Sequence, residues 1–227
     1  MQPLDRPVWA SLTTYHASAS EGNELARRFV RDVNLFASSR DETPEAVAAL
    51  AELVGADESV LVAQVAEIVI PPGLVAVKTA KAVQMVATGG VPAETAREDI
   101  VKLTDADAPE MLALARLTEP GPFLPRTHTM GDFLGIRIDG RLAAMAGERM
   151  RFPGYTEVSG VCTHPDFRGR GLARRLSASV LAAIEARGDQ AFLHAWKTNH
   201  AAITLYESLG FKLRTDVNIA VLARNGH

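Results

Sequence analysis

The chain has a single cysteine, Cys162, so no intramolecular disulfide can staple it, and it suits a reducing compartment. It lacks an apolar run long enough to span a bilayer, and no N-terminal stretch joins positive charge to an apolar segment. The expectation is therefore a cytoplasmic protein with no membrane partner. Positive charge is not in surplus either: 24 Lys and Arg against 27 Asp and Glu leave a net charge of −3, which argues against nucleic acid as a partner. Short repeats and low-complexity tracts are lacking too. What is present is an ordinary globular composition, 47% hydrophobic and 22% charged over 227 residues, enough for one large domain or two small ones.

The charge is unevenly spread. Residues 1–95 hold 7 Lys and Arg against 12 Asp and Glu, whereas residues 96–227 hold 17 against 15. A double glycine and a proline at Thr88-Gly89-Gly90-Val91-Pro92-Ala93-Glu94 mark a break, which sets an N-terminal α/β subdomain (1–94) apart from a second domain (95–227). Before the break, Leu25, Phe29, Val33 and Phe36 have helical spacing across 24–36. Thr43-Pro44 opens a second helix, and Val60 to Ile70 and Leu74 to Val86 read as strands. No chemical constellation stands out there. After the break, Ile100 to Leu103 reads as a strand and Thr104 caps a helix through Leu117. Phe133–Ile138 and Arg141–Arg151 form a hairpin about Asp139-Gly140. Strands over 156–163, 190–196 and 211–222 alternate with helices over 172–187 and 201–209, the first of which shows Leu172, Leu176, Val180 and Ile184 on one face. This order builds a mixed sheet with helices on its faces.

The densest signal is Val161-Cys162-Thr163-His164-Pro165-Asp166-Phe167-Arg168-Gly169-Arg170-Gly171-Leu172-Ala173. A strand ends, turns, and passes through a glycine-studded loop straight into a helix. Such a loop aims several backbone N–H groups at one anion, backed by the positive end of the helix dipole, and the ligand it predicts is a pyrophosphate. The loop lacks both a dinucleotide-binding Gly-x-Gly-x-x-Gly and a Gly-Lys-Ser/Thr ending, which leaves little support for NAD or ATP.

Arg168, Gly171 and Ala173 satisfy the pattern Gln/Arg-x-x-Gly-x-Gly/Ala, and Asn199 to Phe211 carries a late Asn followed by Tyr206-x-x-x-Gly210-Phe211. In this order, with a strand between them, the two blocks resemble the GNAT superfamily of acetyl-CoA-dependent N-acetyltransferases over roughly residues 96–225. The resemblance implies an α/β (α+β) fold with a mixed, mostly antiparallel sheet flanked by helices. Residues 1–94 are then either a degenerate copy of part of that fold or a packing extension. It also implies acetyl-CoA as cosubstrate, its pyrophosphate on the amides of Arg168, Gly169, Arg170, Gly171, Leu172 and Ala173. The pantetheine arm would pair with the strand at Val161, Cys162 and Thr163, mainly through the backbone of Val161 and Thr163. Asn199 would cap its helix or touch that arm.

Gly160 lies in mid-strand, where glycine is costly unless a bulge needs it, and a bulge would aim the Val161 N–H at the thioester oxygen. By the two-residue strand period Glu157, Ser159, Val161 and Thr163 share a face, which makes Glu157 the expected general base and Glu148 its reserve. Tyr206 occupies the family's general-acid position. Cys162 falls on the face opposite Val161 and reads as a core residue, and no cysteine or serine is placed for a covalent acyl intermediate. His164 reads as structural. His194 and His200 lack metal-ligand spacing, so no metal is expected. Trp196, Phe192 and Phe211 read as core. Arg174 and Arg175 read as a solvated helix face within reach of a CoA phosphate. In the 119–131 loop, Arg126 is a candidate holder of an acceptor carboxylate. The expected activity is transfer of an acetyl or short acyl group to a primary amine of a small molecule or amino acid, by direct attack in a ternary complex. A non-catalytic acyl-CoA-binding module is the alternative, and a homodimer stays open.

Overall fold

A computed structural model describes residues 2–89 and 99–225. A short helix α1 (Pro7–Leu12) is followed by a small antiparallel sheet of β1 (Ser20–Gly22), β2 (Ala26–Phe29) and β3 (Ala37–Ser39), then by α2 (Pro44–Glu52). The main sheet comprises β4 (Ser59–Gln64), β5 (Leu74–Ala87), β6 (Ile100–Lys102), β7 (Phe133–Ile138), β8 (Arg141–Phe152), β9 (Tyr155–Thr163), β10 (Gln190–Trp196) and β11 (Phe211–Arg224). Its strand order is β4-β11-β5-β10-β9-β8-β7-β6, and every neighbouring pair is antiparallel except β9 and β10. Helices α3 (Ala108–Thr118), α4 (Leu172–Ala186) and α5 (His200–Ser208) complete the chain. Among the described residues no helix is long and apolar enough to cross a membrane.

Local chemistry explains many of these elements. Asp139 and Gly140 both take positive φ, 51° and 77°, as a two-residue hairpin turn between β7 and β8 requires. Thr43 accepts from the Ala46 N–H with Pro44 behind it, which starts α2. Leu172, Leu176, Val180 and Ile184 form the buried stripe of α4, laid against β8 and β9 beside Ala144 and Val158. Gly188, at φ 81°, lets the chain reverse into β10.

The helix expected over 24–36 is instead β2, a turn, and the approach to β3. The Asn23 side chain accepts from the N–H groups of Leu25 and Ala26, and the Phe29 N–H donates to the Phe36 carbonyl across a turn at 30–34. Phe29, Val33 and Phe36 are all buried, because a core shared with Leu4, Val8 and Phe152 surrounds the segment and takes apolar side chains from several directions. The strand expected to run to Ile70 ends at Gln64, whose amide turns to the Glu67 carbonyl. The break expected at 88–94 lies, apart from Thr88 and Gly89, outside the described residues. On its near side β5 pairs with β10 and β11 from its far side.

Candidate active site

The parallel pairing of β9 with β10 covers only Tyr155–Glu157 against Gln190–Phe192. Both strands run on, β9 to Thr163 and β10 to Trp196, with β8 and β5 still paired to their outer edges. The sheet therefore opens between them, and the inner edge of β9 offers unpaired backbone groups. Pantetheine amides could add there as an extra strand. A cavity of about 760 Å³ occupies the opening, bordered by Val161, Cys162 and Thr163 on one side and His194, Ala195 and Trp196 on the other.

A bulge sits in β9 at this point. Ser159 pairs with Gly147 and Cys162 with Met145, so β9 carries one residue more than β8. Gly160 absorbs it at φ 63°, and a Cβ there would lie 2.8 Å from the Phe133 ring. The bulge shifts the strand's phase. Val158 and Val161 face the α4 core, whereas Cys162 faces Met111 and Leu114 of α3. Glu157 and Ser159 thus share the face of Cys162, not of Val161, and the uninterrupted period expected from the sequence fails at Gly160.

The glycine loop meets the cavity at Arg168, Gly169 and Gly171 and continues through Leu172 and Ala173 into α4. Gly169 and Gly171 adopt φ 77° and 71°, and nothing lies within 4 Å of where a Cβ would stand on either. Both features suit a backbone cradle open to an anion. Arg170 lies over the Phe167 ring at 5.3 Å. Arg175 is paired with Asp99, which takes it from the expected phosphate contact, while Arg174 borders the cavity. The His164 ring accepts from the Asp166 N–H and shapes the turn, a structural part. Asn199 caps α5 by accepting from the Ala202 N–H at 3.1 Å and also borders the cavity.

Tyr206 projects from α5 to the cavity wall. Burial, with the charge of Glu157, pushes its phenol up to about 12, so it stays protonated at neutral pH. Burial likewise raises the Cys162 thiol to about 11, so little thiolate exists there to act as a nucleophile.

Glu157 is fully buried and saturated. Its carboxylate accepts from Arg149 Nε and Nη2 at 2.8 and 2.7 Å and from His194 Nδ1 at 2.8 Å. Burial alone would raise its carboxyl, but the Arg149 guanidinium and then His194 outweigh burial and hold it at about 2. A carboxylate so engaged is a poor direct proton acceptor, and Glu157 does not border the cavity, whereas Arg149 and His194 do. Gln84 donates from Nε2 to both the Leu4 carbonyl and His194 Nε2, while its Oε1 accepts from Arg214. That network assigns the His194 proton to Nδ1 and occupies both ring nitrogens. Glu148 is paired with Arg187 at 2.7 Å and does not border the cavity either.

Sequence reasoning missed Arg149, His194 and Glu119 as cavity residues, because each is brought there by pairing or by a loop rather than by a local motif. Arg126 is exposed and paired with Asp32 across the protein surface, and it does not border the cavity. Trp196, expected in the core with Phe192 and Phe211, is 40% exposed and borders the cavity where the sheet opens.

A family model of FR47-like proteins matches residues 133–220. The crystal structure of a candidate acetyltransferase of the GNAT family from Novosphingobium aromaticivorans has 44% sequence identity, with 100% of both chains covered and a TM-score of 0.94. The ribosomal protein bS18-alanine N-acetyltransferase of Salmonella typhimurium is 37% identical over 129 residues, which are 54% of this chain and 82% of that protein. A mycothiol acetyltransferase of Thermobispora bispora is 48% identical over 56 residues, 24% of this chain. This chain spans only 19% of that relative's length. With the glycine loop, the bulged strand and the opened sheet in place, the chain belongs to the GNAT superfamily of N-acetyltransferases.

Proposed function

We propose that the protein transfers an acetyl group from acetyl-CoA to the primary amine of a small molecule, by direct attack within a ternary complex. The observation that carries this reading is the opening between β9 and β10, with a glycine loop at its mouth and a protonated tyrosine on its wall. The amides of 168–173 hold the pyrophosphate, and the backbone of Val161 and Thr163 pairs with the pantetheine arm beside Cys162. Asn199 fixes the start of α5, which carries Tyr206.

The amine nitrogen forms a bond to the thioester carbon, and the Val161 N–H stabilises the oxyanion. As the carbon–sulfur bond breaks, Tyr206 gives its proton to the departing thiolate and recovers one from solvent. The nitrogen bonded to the acyl carbon loses its remaining extra proton to solvent water, and the products are an N-acetyl amine and CoA. Glu157 acts as an anchor that orients Arg149 and His194 rather than as the direct base. The names of the two enzymes matched in sequence point to different chemistry, one at a ribosomal-protein alanine and the other connected with mycothiol. The apolar wall opposite the glycine loop favours a small acceptor here, since it offers no partners to a peptide backbone.

Calorimetric titration with acetyl-CoA tests the core of the reading, set beside a Gly171→Trp variant whose indole fills the loop. Saturable binding to the parent and none to the variant is expected. A parent that does not bind overturns the assignment.

A further inference from the structure

The cavity divides by chemistry. One side carries the glycine loop and the free edge of β9. The other is Phe36, Leu61, Ala63, Ala82 and Ile219, apolar side chains supplied by β4, β5, β11 and the turn before β3. Arg149, the cation at this wall, is already neutralised by Glu157 and lies over the Phe36 ring at 4.8 Å.

Glu119 also borders the cavity, and three observations single it out. It takes a left-handed conformation, φ 48° and ψ 55°, at the C-terminal end of α3, where glycine would sit without strain. It is exposed and makes no side-chain hydrogen bond or ion pair among the described residues, unlike Glu157 and Glu148. It is also held in place. Its N–H donates to the Ala115 carbonyl at 2.8 Å, the Thr118 hydroxyl before it donates to the Leu114 carbonyl at 2.7 Å, and Pro120-Gly121-Pro122 follows. A carboxylate on a fixed stretch of backbone and the negative end of a helix dipole thus coincide on the cavity wall, an arrangement that attracts a cation.

We infer that Glu119 receives the ammonium group of the acceptor, and that the acceptor is an amine with an apolar body seated on the wall formed by Phe36, Leu61, Ala63, Ala82 and Ile219. This rests on the acetyl-transfer reading above. The carboxylate draws the ammonium in and accepts one proton from it as the nitrogen turns to the thioester carbon, then returns that proton to solvent. A peptide N-terminus would press unpaired amide groups onto an aliphatic surface. A polyamine would bury further charge there.

The test uses the full chain with acetyl-CoA and four acceptors: phenethylamine, n-hexylamine, spermidine, and a short peptide beginning with alanine. The two apolar amines are expected to give at least tenfold higher kcat/KM than spermidine or the peptide. Glu119→Gln is expected to raise the amine KM at least tenfold while the acetyl-CoA Kd stays within twofold. Glu119→Gly separates function from structure, because glycine ends a helix at positive φ at least as well. Its Tm should not fall, yet the amine KM should rise as in Glu119→Gln. An unchanged amine KM in both variants overturns the assignment of Glu119, and preference for spermidine or the peptide overturns the apolar class. If the parent binds no acetyl-CoA, the transfer reading falls and this one with it. If it binds and turns over but ignores Glu119, this inference alone falls.

Discussion

At the residue scale the site rests on two side chains whose environments push them in opposite directions. Tyr206 keeps its proton because burial disfavours phenolate, which suits the acid role proposed for it. Tyr206→Phe should lower kcat by about 10²-fold and leave acetyl-CoA affinity nearly unchanged. Single-turnover rates beside calorimetry would show this, and a variant as fast as the parent across pH would remove the acid role. Glu157 loses its proton easily because Arg149 and His194 surround it and override the penalty of burial. Its folded-state value lies below its ordinary one, so the stability it lends is complete above about 4.5 and is lost as pH falls through about 2. The shift corresponds to roughly 3 kcal/mol. Urea midpoints measured between pH 6 and 2.5 should fall more steeply for the parent than for Glu157→Gln. Parallel curves would detach the carboxylate from acid stability.

The role of Glu157 was not legible in the sequence, for a physical reason. Its partners come from β8 and β10, and the Gly160 bulge turns the face on which strand period had placed it. The glycine loop was legible because its chemistry is local: turn, positive-φ glycines and helix start are adjacent in the chain.

Elements tell the same story. The β7–β8 hairpin and α4 could be read directly, since Asp139-Gly140 and the stripe Leu172, Leu176, Val180 and Ile184 each dictate a conformation from neighbouring residues. The segment at 24–36 could not. Helical spacing of Leu25, Phe29, Val33 and Phe36 arises there from a core that surrounds the chain, and contacts remote in sequence decide the outcome. The bulge in β9 is the element on which the proposed oxyanion contact rests, and Gly160 serves it twice, by its φ of 63° and by leaving room for Phe133. Gly160→Ala meets both obstacles. The backbone term alone costs about 1–2 kcal/mol, so Tm should drop by several degrees. Straightening of the bulge would also misdirect the Val161 N–H and lower kcat more than acetyl-CoA affinity. Wild-type kcat in a folded Gly160→Ala protein would disconnect the bulge from catalysis.

On the scale of the whole molecule, the strand order joins the two halves of the sequence. β5, residues 74–87, lies between β10 and β11, and β11 lies between β4 and β5. A composition break near residue 90 gave the sequence two parts, since glycine and proline mark turns whether or not the flanking strands later share a sheet. The apolar wall of the cavity draws Phe36, Leu61, Ala63 and Ala82 from the first part, while the glycine loop and Tyr206 come from the second. If the shared sheet governs stability, neither part holds its core alone, and heat should unfold the chain in one transition. At about 0.7 kcal/mol per residue near 60 °C, one transition of the full chain carries an enthalpy of roughly 160 kcal/mol, whereas an independent first part would melt separately with roughly 65. Differential calorimetry distinguishes these, with equal calorimetric and van't Hoff enthalpies marking a single cooperative unit. Two resolved transitions would make residues 1–94 a separate domain after all. Amine binding would then be lost at the melting point of that domain while acetyl-CoA binding survived to the higher one.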